Sequence, residues 1–180
     1  MRRRLAKVVL FLLSLGVGLS IVDTLLARLD PSLEPPPRVE RVIRLREHAP
    51  NQNRWVRPTR EYMQGVDSLE RKFYRLATDE NGFIMPSAIH ETPDIELVFL
   101  GGSTTECLYV DETNRFPYLA GRLLESRTGL RINSYNGGHS GNHSMHSLNV
   151  LINKVLPMQP DAVILCHNIN DFATLLYEGT

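Results

Sequence analysis

Ser103 follows an apolar run of strand length, Ile95-Glu96-Leu97-Val98-Phe99-Leu100, and two glycines, Gly101 and Gly102, and a helical stretch comes after it. A serine at such a strand-to-helix turn can hold its hydroxyl clear of the backbone. Its own N–H then lies at a helix start, where free N–H groups and the helix dipole favour negative charge. Those are the needs of a nucleophile and of one oxyanion donor. The same residues, Ser103-Thr104-Thr105-Glu106, also read as a capping box with Ser103 as N-cap and Glu106 at N3. Catalysis and capping compete for them.

Two further loops can meet this serine. Arg131-Ile132-Asn133-Ser134-Tyr135 reads as a short strand that runs into Asn136-Gly137-Gly138-His139-Ser140-Gly141-Asn142-His143-Ser144. Three glycines in six residues at a strand end permit close backbone approach to a ligand. A helix follows, with Met145, Leu148, Leu151, Ile152 and Val155 on one face. Asp161-Ala162-Val163-Ile164-Leu165-Cys166 reads as a buried strand that delivers His167-Asn168-Ile169-Asn170-Asp171. Alternating strands and helices predict an α/β fold, and in an open parallel sheet ligands bind beyond the carboxyl ends of the strands. Ser103, Gly141 and Asn170 would all sit at that edge.

At these three blocks the sequence resembles the SGNH (GDSL-like) hydrolases. Gly101-Gly102-Ser103-Thr104-Thr105-Glu106 is similar to the family's first block, with Gly102 where the family often has Asp. Asn136 through Ser144 resembles the second block, and Asn168-Ile169-Asn170-Asp171 the third, with Asn168 in place of the usual first Gly. The resemblance covers about residues 72–180. It implies a flavodoxin-like parallel sheet with helices on both faces and a serine esterase mechanism that needs neither cofactor nor metal. Ser103 would be the nucleophile, and the Ser103 N–H, the Gly141 N–H and the Asn170 side-chain amide would hold the oxyanion. The implied substrate is an acylated small molecule or polysaccharide. The wording of the first and third blocks is similar to membrane-anchored members associated with bacterial exopolysaccharide work, which makes deacylation of an extracytoplasmic carbohydrate the expectation. A non-catalytic membrane-tethered binding or assembly module on the same fold is the alternative, and acyl transfer instead of hydrolysis is a third reading.

The family's base and its supporting carboxylate come from an Asp-x-x-His block, and here no Asp is followed three residues later by His. Three strands with the first in the centre would also leave the third as an exposed apolar edge. The expectation is therefore a C-terminally truncated domain with impaired hydrolysis. His139, His143, His146 and His167 cluster near the second and third blocks, as substitute base, metal ligands or polar lining and packing. Cys107 and Cys166 are either two small buried hydrophobes or a bond across adjacent strands.

The remaining chain supplies an anchor and a spacer. Arg2-Arg3-Arg4 precede Val8 to Val22, a run of 15 uncharged residues, and residues 8–27 match the span of a ~30 Å hydrocarbon core. The basic cluster predicts a cytoplasmic N-terminus and an extracytoplasmic (periplasmic) body on a single-pass anchor, with cleavage after Gly18-Leu19-Ser20 as the competing signal-peptide reading. Pro31-Ser32-Leu33-Glu34-Pro35-Pro36-Pro37 reads as a semi-rigid spacer, and Val39, Val42, Ile43 and Arg46 as one face of a short helix over 38–48. Phe73 to Thr78, Asp79-Glu80-Asn81-Gly82 and Phe83-Ile84-Met85 read as a β-hairpin. Trp55, Arg57 and Arg60 are candidates for substrate contact or for surface packing. The organisation so predicted is an anchor over 1–30, a linker with a short helix over 31–60 and the hydrolase-like domain over 61–180. Lys+Arg and Asp+Glu both number 20, which gives no basic excess to hold a nucleic-acid backbone. Two cysteines 59 positions apart make neither a disulfide framework nor a zinc pattern.

Overall fold

The apolar run before Ser103 forms β3 (Ile95–Gly101), the centre of the molecule's main sheet. Its side chains alternate between two faces, and both faces are covered, which is why it reads as nearly continuous apolar sequence. In this computed structural model the described residues are 13–20, 22 and 44–176, falling into two compact units that divide between Arg44 and Leu45. In the first unit, residues 13–20 and 22 are helical and exposed. Among the described residues no helix is long and apolar enough to cross a membrane. The expected span over 8–27 lies largely outside the described residues, and the proline-rich spacer over 31–37 lies wholly outside them.

In the second unit, β3 pairs in parallel with β4 (Ile132–Gly138) on one side and β5 (Ala162–Cys166) on the other, giving the order β4-β3-β5. Before them come β1 (Asn53–Val56), the short helix α1 (Arg60–Gln64) and β2 (Tyr74–Ala77). Helix α2 (Ser103–Glu106) is a single turn, and α3 (Phe116–Thr128) crosses from β3 to β4. Helix α4 (Ser144–Val150) continues through a π-helical stretch, Leu151–Val155, and a last turn, Leu156–Met158, before β5. Helix α5 (Ile169–Leu176) follows β5.

Leu97, Phe99 and Ile132 form the core on one face, with Ala120 of α3 packed against them. Val98, Leu100 and Tyr135 form the other with Phe83, Val150 and Val155. The α/β class and the three parallel strands with β3 central are therefore as the sequence predicts.

Two local expectations are corrected and two are met in part. Residues 44–48 are not helical; they run as an irregular strap that buries His48, while 38–43 lie outside the described residues. Strand β2 makes its ladder with β1, and the expected hairpin is a short one: across the turn the Asp79 N–H donates to the Phe83 carbonyl and the Met85 N–H to the Ala77 carbonyl, at 2.9 Å each. The chain does turn back after β2, but Asp79 Oδ1 organises the turn by accepting the Asn81 and Phe83 N–H groups, at 2.9 Å each. Ile84 then makes only isolated bridges, to Thr78 and to Asn136 of β4, so the segment ties the small sheet to the large one. Strand β5, read from its apolar residues as buried, is the exposed edge that the three-strand order implies, with Leu165 55% exposed. Strand β4 extends three residues past Tyr135, taking up Asn136-Gly137-Gly138.

Candidate active site

Strand register decides where the three loops emerge. Gly101 pairs with both Gly138 and Cys166, so the chain leaves β3, β4 and β5 at the same level on one sheet edge. Gly102, in extended backbone with φ −87 and ψ −152, is the N-cap of α2. Its carbonyl accepts the N–H groups of Thr105 (3.1 Å) and Glu106 (3.0 Å). Ser103 is exposed and is the first helical residue, not the cap, and its N–H precedes the first bonds of that turn. The expected capping box is also absent here: Glu106 is buried and points away from the helix start, and a capping box is made instead by His143 with His146 on α4.

The second loop turns tightly from His139 to Asn142, closed by Asn142 N–H donating to the His139 carbonyl at 3.0 Å. Gly141 adopts φ +78, the left-handed region that favours glycine, and a Cβ there would stand 2.6 Å from the Arg46 guanidinium. The third loop brings Asn170, whose side-chain amide donates to the Asn142 carbonyl at 2.7 Å. A Cβ on Gly102 would lie 2.6 Å from that amide nitrogen and 3.1 Å from the Asn142 carbonyl. The closeness of Asn170 thus accounts for glycine at position 102.

Ser103 lies between two cavities. The smaller, of about 230 Å³, is lined by Ser103, Asn142, His167 and Asn170 among others. The larger, of about 610 Å³, is lined by Ser103, Ser140, a tyrosine group of Tyr62, Tyr74 and Tyr109, and the Lys72 and Asp111 pair among others. Gly141 lines neither, although its neighbours Ser140 and Asn142 line one each. Trp55, Arg57 and Arg60 line neither; Trp55 is exposed on β1, and Arg57 sits over the Phe73 ring.

Beneath the loops lies a buried ionisable cluster. Glu106 Oε1 is 3.0 Å from His48 Nε2, an ion-pair contact without good hydrogen-bond alignment, and Glu106 Oε2 accepts the Ser140 hydroxyl. Burial alone would raise this carboxyl's pKa; the His48 and Ser140 contacts outweigh it and hold it below the ordinary value. The His48 ring packs on His139 with centroids 4.7 Å apart, and burial together with His48 pushes the His139 pKa down.

His167 is nine-tenths buried, and neither ring nitrogen has a hydrogen-bond partner; Nδ1 is 3.9 Å from Asp171 Oδ2. Asp171 Oδ1 accepts the Ser144 N–H at 2.9 Å, and the Ser144 backbone and side chain keep its carboxyl below the usual range. His143 and His146 stack on each other at 3.8 Å, and burial lowers the His146 pKa. Among the described residues no group of three His, Cys, Asp or Glu is arranged to hold a metal ion. Cys107 and Cys166 are both free thiols, and burial raises the Cys107 pKa.

Of the three residues named from sequence, Ser103 and Asn170 meet at one cavity, and Gly141 occupies the turn beside it. Sequence reasoning missed the Arg46–His48 strap, the buried Glu106 pair, the bridging Asn142 and the tyrosine-lined cavity. Glu106 and Arg46 did stand in recognisable patterns, but those patterns assigned them to a cap and to a helical stripe. No protein-family model matches this chain, and a search of curated proteins finds no match.

Proposed function

We propose that this chain is a serine-dependent ester hydrolase of the SGNH (GDSL-like) type, acting on an acylated carbohydrate at the extracytoplasmic face of a membrane. The observation that carries the reading is the cavity lined jointly by Ser103 and Asn170, with the Asn142 carbonyl holding the Asn170 amide. The chemistry follows from those groups. The Ser103 hydroxyl adds to an ester carbonyl, its proton passes to a base and then to the departing alcohol, and an acyl-enzyme remains. Water repeats the sequence and releases the acid. The developing oxyanion is stabilised by the Ser103 N–H, the Gly141 N–H and the free hydrogen of the Asn170 amide.

The base is the open role. The resemblance assigns it to an Asp-x-x-His pair, which these 180 residues do not contain. His167 lines the Ser103 cavity and has Asp171 beside it, the order of groups that a base and its orienting carboxylate require. The membrane location is supported by Arg2-Arg3-Arg4 ahead of the uncharged run over 8–22.

A fluorophosphonate probe tests the reading on the full chain. Labelling that Ser103→Ala abolishes supports the hydrolase. Absence of labelling in the unmodified chain turns the reading to the non-catalytic, membrane-tethered binding module. Product analysis with an added sugar acceptor separates hydrolysis from acyl transfer.

A further inference from the structure

Glu106 is the last residue of a one-turn helix, yet it is 2% exposed, and its carboxylate reaches away from the helix into the second loop. A charge so buried is costly unless each oxygen is engaged. Here each is: one oxygen faces His48 of the strap, and the other accepts the hydroxyl of Ser140, the residue before Gly141.

The strap grips the same turn from its other side. The Arg46 guanidinium donates to the Ser140 carbonyl at 3.2 Å, and the Arg46 carbonyl accepts the Asn142 side-chain amide at 3.0 Å. Asn142 in turn accepts from Asn170. Contacts thus run from the Glu106 carboxylate through Ser140, Gly141 and Asn142 to Asn170. Glu106 is not the base of the site, because both its oxygens are committed below the turn and neither contacts Ser103.

We infer that Glu106 is a positioning residue: with His48 and Arg46 it locks the Ser140–Asn142 turn so that the Gly141 N–H and the Asn170 amide are held ready for one oxyanion. This rests on the ester-hydrolase reading. It adds to it a residue that sets the geometry of the oxyanion hole without touching substrate.

The test uses the full chain, its Glu106→Gln and Ser140→Ala variants, and two readouts. The first is fluorophosphonate labelling of Ser103, resolved into a limiting rate and a half-saturating probe concentration. The second is amide hydrogen exchange over 139–142 compared with β3 and β4. Gln keeps one acceptor and loses the other. Ser140→Ala cuts the tether from the turn side, and it decides the question if Glu106→Gln does not fold.

The expected result is a limiting rate roughly tenfold lower or more, with the half-saturating concentration unchanged, since a misplaced donor costs only transition-state stabilisation. Exchange should quicken at 140–142 alone. Labelling at the unmodified rate, or exchange that quickens equally through β3 and β4, overturns the inference. If the unmodified chain does not label at Ser103, the hydrolase reading falls and exchange alone decides. Local quickening then upholds the lock, and unchanged exchange at 140–142 removes it.

Discussion

Asn170 commits one amide hydrogen to the Asn142 carbonyl at 2.7 Å, and the proposed function gives its second to the oxyanion. Replacing it with Ala should lower Ser103-dependent turnover by about 10²–10³ with little change in substrate affinity, read from initial rates on a nitrophenyl ester. Gly102→Ala should give a similar loss by another route, because its Cβ would meet the Asn170 amide at 2.6 Å. Glu106→Ala leaves the buried His48 ring and the Ser140 hydroxyl without their acceptor and should cost about 1–3 kcal/mol in chemical denaturation. The pH dependence has a definite sign. The Glu106 carboxyl lies below its ordinary 4.5 in the folded chain, so its contribution is complete above that pH and is lost as pH falls through the lowered value. Denaturation midpoints at pH 6 and pH 3 should therefore differ less in Glu106→Gln than in the unmodified chain.

The elements are pinned at the sheet end opposite the site. Asp94, just before β3, accepts the Arg131 N–H at 2.8 Å and pairs with its guanidinium at 2.8 Å. Glu125 of α3 accepts the Ile132 N–H of β4 at 3.0 Å and contacts His90 and Arg122 at 2.8 Å each. Arg131 holds the Asp94 carboxyl at about 2, and the Ile132 N–H, with His90 and Arg122, holds Glu125 at about 2. Both pKa values are depressed, so the stability these groups contribute is present above their unfolded values and drains away as pH falls from about 4.5 toward 2. Circular dichroism across that window should show acid unfolding that shifts to higher pH in Glu125→Gln. Arg115 joins other elements: it is 1% exposed and donates to the Met85 carbonyl at 2.8 Å and the Arg75 carbonyl at 2.6 Å. Arg115→Ala should destabilise by about 3 kcal/mol, since two buried carbonyls lose a charged donor.

The main sheet of the second unit has two edge strands, β4, which Ile84 bridges at Asn136, and β5. Helix α3 and the π-containing helix α4 cover the sheet faces, while β5 is an edge with Leu165 outward and α5 presents Ile169, Phe172, Leu175 and Leu176 at 58–82% exposure. Unpaired backbone beside apolar side chains is a template for association. Leu165→Lys should reduce concentration-dependent self-association in sedimentation velocity without changing the far-ultraviolet spectrum.

While the central place of β3 came with the resemblance and is seen in the strand order, periodicity and punctuation alone predicted the three strands of a parallel sheet and the arrival of Ser103, Gly141 and Asn170 at one sheet edge. Each depends on neighbouring residues: an apolar run sets a strand, and glycines after it set a loop. The partners beneath that edge were decided by tertiary structure. His48 and Glu106 are 58 positions apart in the chain, and no local rule brings an imidazole to a carboxylate over that distance. The same limit explains the two misreadings nearby. Val39, Val42, Ile43 and Arg46 fit a helical stripe, yet Arg46 and His48 are drawn into an irregular strap by the turn they hold. Glu106 fits a capping box, yet an ion pair with His48 and a hydrogen bond from Ser140 together outweigh one bond to an exposed N–H at the helix start.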